Sequence, residues 1–262
     1  MFIDTHCHLT FPEYDEDRAT VIGNAKKAGV KQFICPGVDP FSSQKVIELA
    51  QKHPGVVFAA VGYHPYEAQH NPNISLLENL LSTIYDLRSI VAVGEIGLDY
   101  HQYKGEAAAG KKQAQKILFE EQLRLALKHN LPVIMHCREA FEDFFRIYDT
   151  MSVPGVIHCF SGGLQEIRMA KERNLYIGLD GNCTYSKQLQ TIIPDIPLSM
   201  ILLETDAPYL TPVPHRGTRN EPKYIPLIAA EIASLQGIPI SAVEEQTTKN
   251  ARSLFTLPSK TQ

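Results

Sequence analysis

Nowhere in the 262 residues does an apolar run approach the roughly 18–20 residues needed to cross a bilayer, which leaves no candidate membrane span. The opening Met1-Phe2-Ile3-Asp4 has neither the basic n-region nor the apolar stretch of a secretory leader. Cysteine is sparse. Cys7, Cys35, Cys137, Cys159 and Cys183 are odd in number, and their spacing suits neither a disulfide framework nor a CxxC zinc knuckle. A reduced, cytoplasmic protein without membrane association is therefore expected. Positive charge is not in excess either: Lys and Arg total 25 against 29 Asp and Glu, a formal net charge of -4. That balance argues against a protein held to nucleic acid by its whole-surface field. It leaves a nucleic-acid substrate open, since a metal site and a few local cations can supply the attraction. Low-complexity tracts, long charge blocks and short-period repeats are also missing, and no obligate protein partner is evident.

What is present is an alternation of two patterns. Short apolar runs cover Phe2–His8, Gln32–Val38, Val56–His64, Ile90–Leu98, Pro132–His136, Gly155–Cys159, Leu175–Leu179 and Met200–Thr205. Such nearly continuous runs suit parallel strands buried on both faces. The stretches between them read as helices. Phe119, Leu123, Ala126 and Leu127 follow i, i+4, i+7, i+8 spacing and mark one apolar face. Helix stop signals stand at Ala28-Gly29, His53-Pro54-Gly55 and His129-Asn130-Leu131-Pro132. Eight strand–helix units in this length predict an α/β fold, a single-domain (β/α)8 TIM barrel over residues 1–257, with a frayed tail over 258–262. A doubly wound open sheet is the alternative, disfavoured because no Gly-rich dinucleotide loop follows the first run.

Polar residues of metal-ligand type recur where the apolar runs end. His6 and His8 end the first, His64 the third, Glu95 lies in the fourth, His136 ends the fifth, His158 lies in the sixth, and Asp206 follows the eighth. In a barrel these positions converge on the C-terminal mouth, where active sites are built. Strand side chains alternate faces, so His6 and His8 point the same way and two imidazoles at that spacing can reach one ion. The same alternation turns Cys7, Cys137 and Cys159 away from the pocket as small core residues. A lone histidine is more often a hydrogen-bonded core residue than a ligand. A buried cluster of histidines and carboxylates, however, needs compensation, and a metal supplies it for all of them together. His53 and His129 near helix C-termini are explained by the helix dipole, and His70 has no assigned role.

Six segments carry a resemblance: His6-Cys7-His8-Leu9, Gly62-Tyr63-His64-Pro65, Gly94-Glu95-Ile96-Gly97-Leu98-Asp99-Tyr100, His136-Cys137-Arg138, His158-Cys159-Phe160-Ser161-Gly162 and Glu204-Thr205-Asp206-Ala207-Pro208-Tyr209-Leu210. Pro212 to Gly217, Asn220-Glu221-Pro222 and Gln115 to Ala126 continue it. From residue 2 to about Phe255 the chain resembles the TatD family of metal-dependent deoxyribonucleases, which belongs to the amidohydrolase-like barrels. The resemblance implies His6, His8, Glu95 and Asp206 around one divalent cation. Glu95, His136 and His158 would hold a second, with Glu95 as the bridge. Glu204 faces the same way as Asp206 and is either a support behind the ligands or a ligand to an optional further ion. The stretch from Tyr100 to Lys112 is long for the family and lies beside the mouth, where it can alter substrate access.

A mixed imidazole and carboxylate set suits Zn²⁺, Mn²⁺ or Ni²⁺, and an oxygen-rich one suits Mg²⁺, the ion associated with the family's nucleases. The expected chemistry is metal-assisted hydrolysis of phosphodiester bonds at DNA ends, with Asp206 orienting the water and accepting its proton. His64 is the candidate for contacting phosphate or the leaving group. Arg138 and Arg216 are the candidate phosphate binders, while Arg219 reads as a solvated loop residue. Tyr63, Tyr66, Tyr185 and Tyr209 lie near strand ends and can stack on bases, although core packing or rim decoration is the commoner role. Single-stranded or terminal DNA fits a recessed mouth better than intact duplex. Two other readings compete: hydrolysis of another phosphoester, carboxylic ester or amide, and a non-catalytic module that binds nucleic acid around a structural metal.

Overall fold

The computed structural model describes residues 1–83, 89–103 and 111–258. Its strands are β1 (Phe2–Asp4), β2 (Val30–Pro36), β3 (Val57–Val61), β4 (Ile90–Asp99), β5 (Val133–Arg138), β6 (Gly155–Ile157), β7 (Tyr176–Leu179) and β8 (Ile201–Leu203). Every residue of β1, β3, β4, β6 and β8 is buried, as parallel strands covered on both faces should be. They pair in sequence order, each parallel to the next. A helix follows each strand: α1 (Arg18–Lys27), α2 (Pro40–Lys52), α3 (Ile74–Thr83), α4 (Lys112–His129), α5 (Phe141–Tyr148), α6 (Leu164–Glu172), α7 (Lys187–Ile192) and α8 (Ile225–Gln236). One more, α9 (Ile240–Phe255), is the last element among the described residues. This is the expected (β/α)8 barrel.

The stop signals act as expected. Gly29, at φ 95°, follows α1, His53 is the C-cap of α2, and Asn130 closes α4 in the left-handed conformation. Leu127 departs from the reading: it is 45% exposed, whereas Phe119, Leu123 and Ala126 are fully buried. Eight residues after Phe119, it sits about 80° around the helix, at the edge of the apolar stripe.

Several of the runs also stop earlier than expected at their C-terminal ends, although β4 and β5 run one and two residues further and β7 ends at Leu179 as expected. The first strand ends at Asp4 instead of His8, the sixth at Ile157 and the eighth at Leu203. His6, His8, His158 and Asp206 therefore stand on irregular backbone just beyond the strands. The reason lies in how the barrel closes. Between β8 and β1 the seam is made by these same segments: Thr5 N–H donates to the Leu203 carbonyl at 3.0 Å, Asp206 N–H to His6 at 2.9 Å, and His8 N–H to Ala207 at 2.8 Å. The Asp4 carboxylate adds bonds from the Thr205 hydroxyl at 2.6 Å and the Thr205 N–H at 3.1 Å.

Ile3, Ile34, Phe58, Ala60, Ala92, Ile134, Val156 and Leu202 fill the barrel interior together with Ala251, Leu254, Phe255 and Leu257 from α9 and its C-terminal end. The end opposite the mouth is thus plugged by apolar side chains. Among the described residues no single helix is long and apolar enough to cross a membrane. The Pro258 carbonyl accepts a bond from Gln32 Nε2 at 3.3 Å. The rest of the expected tail, 259–262, and residues 104–110 of the long stretch after β4 lie outside the described residues.

Candidate metal centre

Six strand ends converge, and the side chains they carry meet around Glu95. Its two carboxylate oxygens face different partners. Oε2 lies 3.3 Å from His6 Nε2 and 3.8 Å from His8 Nε2. Oε1 lies 2.8 Å from His158 Nε2, 3.1 Å from His136 Nδ1 and 3.6 Å from His64 Nε2. Asp206 Oδ1 completes the first side, 3.7 Å from His6 Nε2 and 3.5 Å from His8 Nε2. The ligand-type atoms of His6, His8 and Asp206, of His6, Glu95 and His158, and of His64, Glu95 and His136 form three sets, each within 4.8 Å.

Nitrogen facing nitrogen is the diagnostic feature. His6 Nε2 and His8 Nε2 are 3.2 Å apart, as are His136 Nδ1 and His158 Nε2. Ring nitrogens facing one another at that distance need either a hydrogen or a cation between them. Ligand atoms about 2.05 Å from a tetrahedral zinc would be separated by about 3.3 Å. The donor set therefore fits divalent cations in both chemistry and spacing.

Local sequence explains why these atoms meet. At Gly97 (φ 137°), a Cβ would stand 2.0 Å from the His136 carbonyl, so only glycine lets β4 approach β5 closely enough to bring Glu95 to His136. On the far side, a Cβ at Gly178 would fall 2.4 Å from a Glu204 carboxylate oxygen. That space lets Glu204 lie fully buried, accept the Cys159 N–H at 2.5 Å and place Oε1 3.8 Å from His158 Nδ1. Glu204 is thus behind His158, as a support. Asp99 supports His136 from the other direction, with Oδ2 3.1 Å from Nε2. That contact explains why His136 turns Nδ1 inward while His6, His8 and His158 turn Nε2. Asp99 had no role in the sequence reading, although the signal was there: 95, 97 and 99 share one strand face.

Electrostatics follows from burial. Burial raises the Glu95 carboxyl, but the charges and hydrogen bonds of the surrounding histidines outweigh it and hold the group well below the usual range. Burial, with His158 alongside, brings His6 down to about 4, and burial also brings His64 to about 4. Both imidazoles are neutral near pH 7. His136 goes the other way: burial opposes its charge, yet the Asp99 and Glu95 hydrogen bonds raise it to about 9. Asp206 stays ionised because His8 and His6 outweigh its burial. His64 was placed outside the ligand set by sequence; the structure brings it against Glu95, with Nδ1 accepting the Tyr66 N–H at 3.3 Å. That acceptor role puts the ring hydrogen on Nε2, the atom facing the cluster.

The arginines separate into two kinds. Arg219 pairs with Asp17 at 2.6 Å and Glu221 at 3.3 Å, a structural fastening more than a solvated end. Arg138 hydrogen-bonds the Tyr103 hydroxyl and stands 5.1 Å over that ring, and Arg216 stands 3.9 Å over Tyr185. Among the tyrosines, Tyr63 is a core residue, its hydroxyl donating to Asn73 at 3.1 Å. Cys7 and Cys137 are buried as expected, Cys7 Sγ lying 3.9 Å from Cys35 Sγ. Cys159 differs: it is only partly buried, because its backbone has already turned (φ 46°) out of strand geometry.

A parallel barrel with histidines and carboxylates gathered at its C-terminal mouth defines a metal-dependent hydrolase. The family model for TatD related DNase matches residues 3–256. The metal-dependent hydrolase YabD of Bacillus subtilis is 36% identical over 97% of this chain and 99% of its own length. A 3'-5' ssDNA/RNA exonuclease TatD of Salmonella typhimurium is 34% identical over 96% of this chain and 98% of its own. The crystal structure of YjjV, a TatD homologue from Escherichia coli, superposes with a TM-score of 0.89 at 32% identity, covering 98% of each chain. The chain belongs to the TatD-related DNase family, and it is an enzyme of the ester-hydrolysing, metal-dependent kind.

Proposed function

We propose that this chain is an exonuclease that removes nucleotides from the 3' end of unpaired DNA or RNA, using two divalent cations that share Glu95. The observation that carries this reading is the division of Glu95, one oxygen toward His6 and His8 and the other toward His136 and His158. His6, His8, Glu95 and Asp206 are assigned to one cation, and Glu95, His136 and His158 to the other. Relatives named as 3'-5' ssDNA/RNA exonucleases support the substrate and polarity. Free, mostly buried cysteines support work in the reducing cytoplasm.

Bound divalent cations supply charge neutralisation and Lewis-acid polarisation at the scissile phosphodiester, and acidify water in their shell to a pKa of about 7. The chain's own groups supply the rest. Asp206, ionised and partly open to solvent, accepts the proton of the attacking water at Oδ1. His64, neutral and with its hydrogen on Nε2, donates a hydrogen bond to charge developing on phosphoryl or leaving oxygen. Glu95 and Asp99 hold the histidines in place. Arg138 and Arg216 guide the strand: among the described residues neither pairs with a carboxylate, and both present a stacked guanidinium suited to phosphate.

The test is a substrate panel on protein stripped of metal and reloaded with Mg²⁺, Mn²⁺ or Zn²⁺ singly. Mononucleotide release from the 3' end of single strands, abolished in Asp206→Asn, is expected. Hydrolysis of carboxylic esters or amides with no nucleic-acid cleavage would overturn the reading.

A further inference from the structure

Phe11 and Tyr209 occupy equivalent places on the two segments that close the barrel. Each lies three residues beyond a residue assigned to the first cation, and in each case a backbone hydrogen bond back to that residue closes the turn. Phe11 N–H donates to the His8 carbonyl at 3.0 Å, and Tyr209 N–H to the Asp206 carbonyl at 2.9 Å. Phe11 stacks on the His8 imidazole, centroids 4.4 Å apart and planes at 19°. Tyr209 stands edge-on to Phe11 at 6.4 Å and 72°, which makes a corner.

Tyr209 is 51% exposed, yet its backbone is fixed. The fully buried Asn220 donates through Nδ2 to the Tyr209 carbonyl at 2.5 Å and through its N–H to the Pro208 carbonyl at 3.0 Å. A large ring displayed from an immobilised backbone loses little freedom when a ligand covers it. Aromatic rings across the mouth are already engaged. Tyr103 has Arg138 over its face and Tyr66 and His101 beside it, and Tyr66 in turn abuts His64. Among the described residues Phe11 is the one ring neighbour of Tyr209.

We propose that Phe11 and Tyr209 form a stacking corner for one unpaired nucleobase flanking the scissile phosphate, a proposal that rests on the nuclease reading above. Direct contact of Phe11 with His8 ties the corner to the site, so a base lying there belongs to a nucleotide next to the reacting bond. Stacking tolerates any base, because every base has a π-face. It rejects bases whose faces are covered by duplex neighbours. The corner thereby gives the site a preference for unpaired ends over blunt duplex.

Oligonucleotides lacking the base at the 3'-terminal or the penultimate position, crossed with Tyr209→Ala and Phe11→Ala, test this. At one of the two positions, base removal should lower kcat/KM of the native enzyme about tenfold. Tyr209→Ala should lose a similar factor on the intact strand and almost nothing further on the abasic one, with Tyr209→Phe restoring the dependence. A strand carrying 2-aminopurine there should be quenched on binding to EDTA-treated protein, and less so by the alanine variants. Effects of base and ring that simply multiply at both positions would overturn the corner. Absence of strand cleavage by the native enzyme would instead remove the nuclease reading itself.

Discussion

At the residue scale the centre works through pairs of groups that fix one another. His64 is the clearest case, since the Tyr66 N–H on Nδ1 dictates that the ring hydrogen sits on Nε2, facing the cluster. His64→Ala should lower turnover about a hundredfold while leaving metal stoichiometry, measured by atomic absorption, unchanged. Loss of metal in that variant would show His64 to be a ligand instead. Asp4 illustrates the cost of closing the seam with a carboxylate. Burial lifts its carboxyl to about 7 against hydrogen bonds from Thr205 and from the His6 N–H. A folded-state value raised above the unfolded one means that the contribution is fully present below about pH 4 and is lost as pH rises through about 7. Denaturant titrations in EDTA should accordingly show a smaller fall in stability between pH 4 and pH 8 for Asp4→Asn than for the native chain. An unchanged slope would show that Asp4 titrates normally.

At the element scale, α4 is more than a cover for the sheet. Gln115 and Gln122 lie seven residues apart on its buried face, and both are fully enclosed. Gln122 accepts the Tyr63 N–H at 2.7 Å and donates to the Tyr63 carbonyl at 3.0 Å. Gln115 does the same for Asp99, at 2.8 Å in both directions. Each glutamine thus serves a residue at or just past the end of β3 or β4, and the residues served are the neighbour of His64 and the support of His136. Replacing Gln122 with Leu strands two buried backbone groups, so a loss of about 3 kcal/mol is expected in urea unfolding. Turnover should fall further than metal content, because the displaced residue is His64's neighbour and not a cation ligand. Equal losses of both would mean that the clamp acts on the whole cluster.

At the scale of the whole molecule, the eight strands and α9 make a rigid cup. Its lower half is apolar, and its upper half gathers imidazoles and carboxylates of the kind that cations bind. Cations bound to the folded state alone stabilise it by mass action, by about 4 kcal/mol at a thousandfold excess over Kd. Chelation should therefore lower Tm by roughly 10 °C, given about 2–4 °C per kcal/mol for a chain of this size. A Tm indifferent to EDTA and to re-addition of metal would argue against resident cations. The net charge of -4 fits the same picture, in which attraction for a polyanion is local, at the mouth.

The order of apolar runs, the caps that separate helices from strands, and the recurrence of His, Glu and Asp at run ends were legible in the sequence, because periodicity and residue chemistry are local properties. They determined the barrel and the identity of the ligand-type residues. The two-sided use of Glu95 was implied by the family resemblance, but other features depended on groups distant along the chain: the inward Nδ1 of His136 set by Asp99, the clamps of Gln115 and Gln122, and the corner of Phe11 and Tyr209. A fully buried glutamine reads in sequence as a helix-surface residue, and Phe11 as one more core aromatic. Their roles follow from which backbone atom or ring stands opposite them, and only closure of the β8–β1 seam and packing of α4 across β3 and β4 decided that.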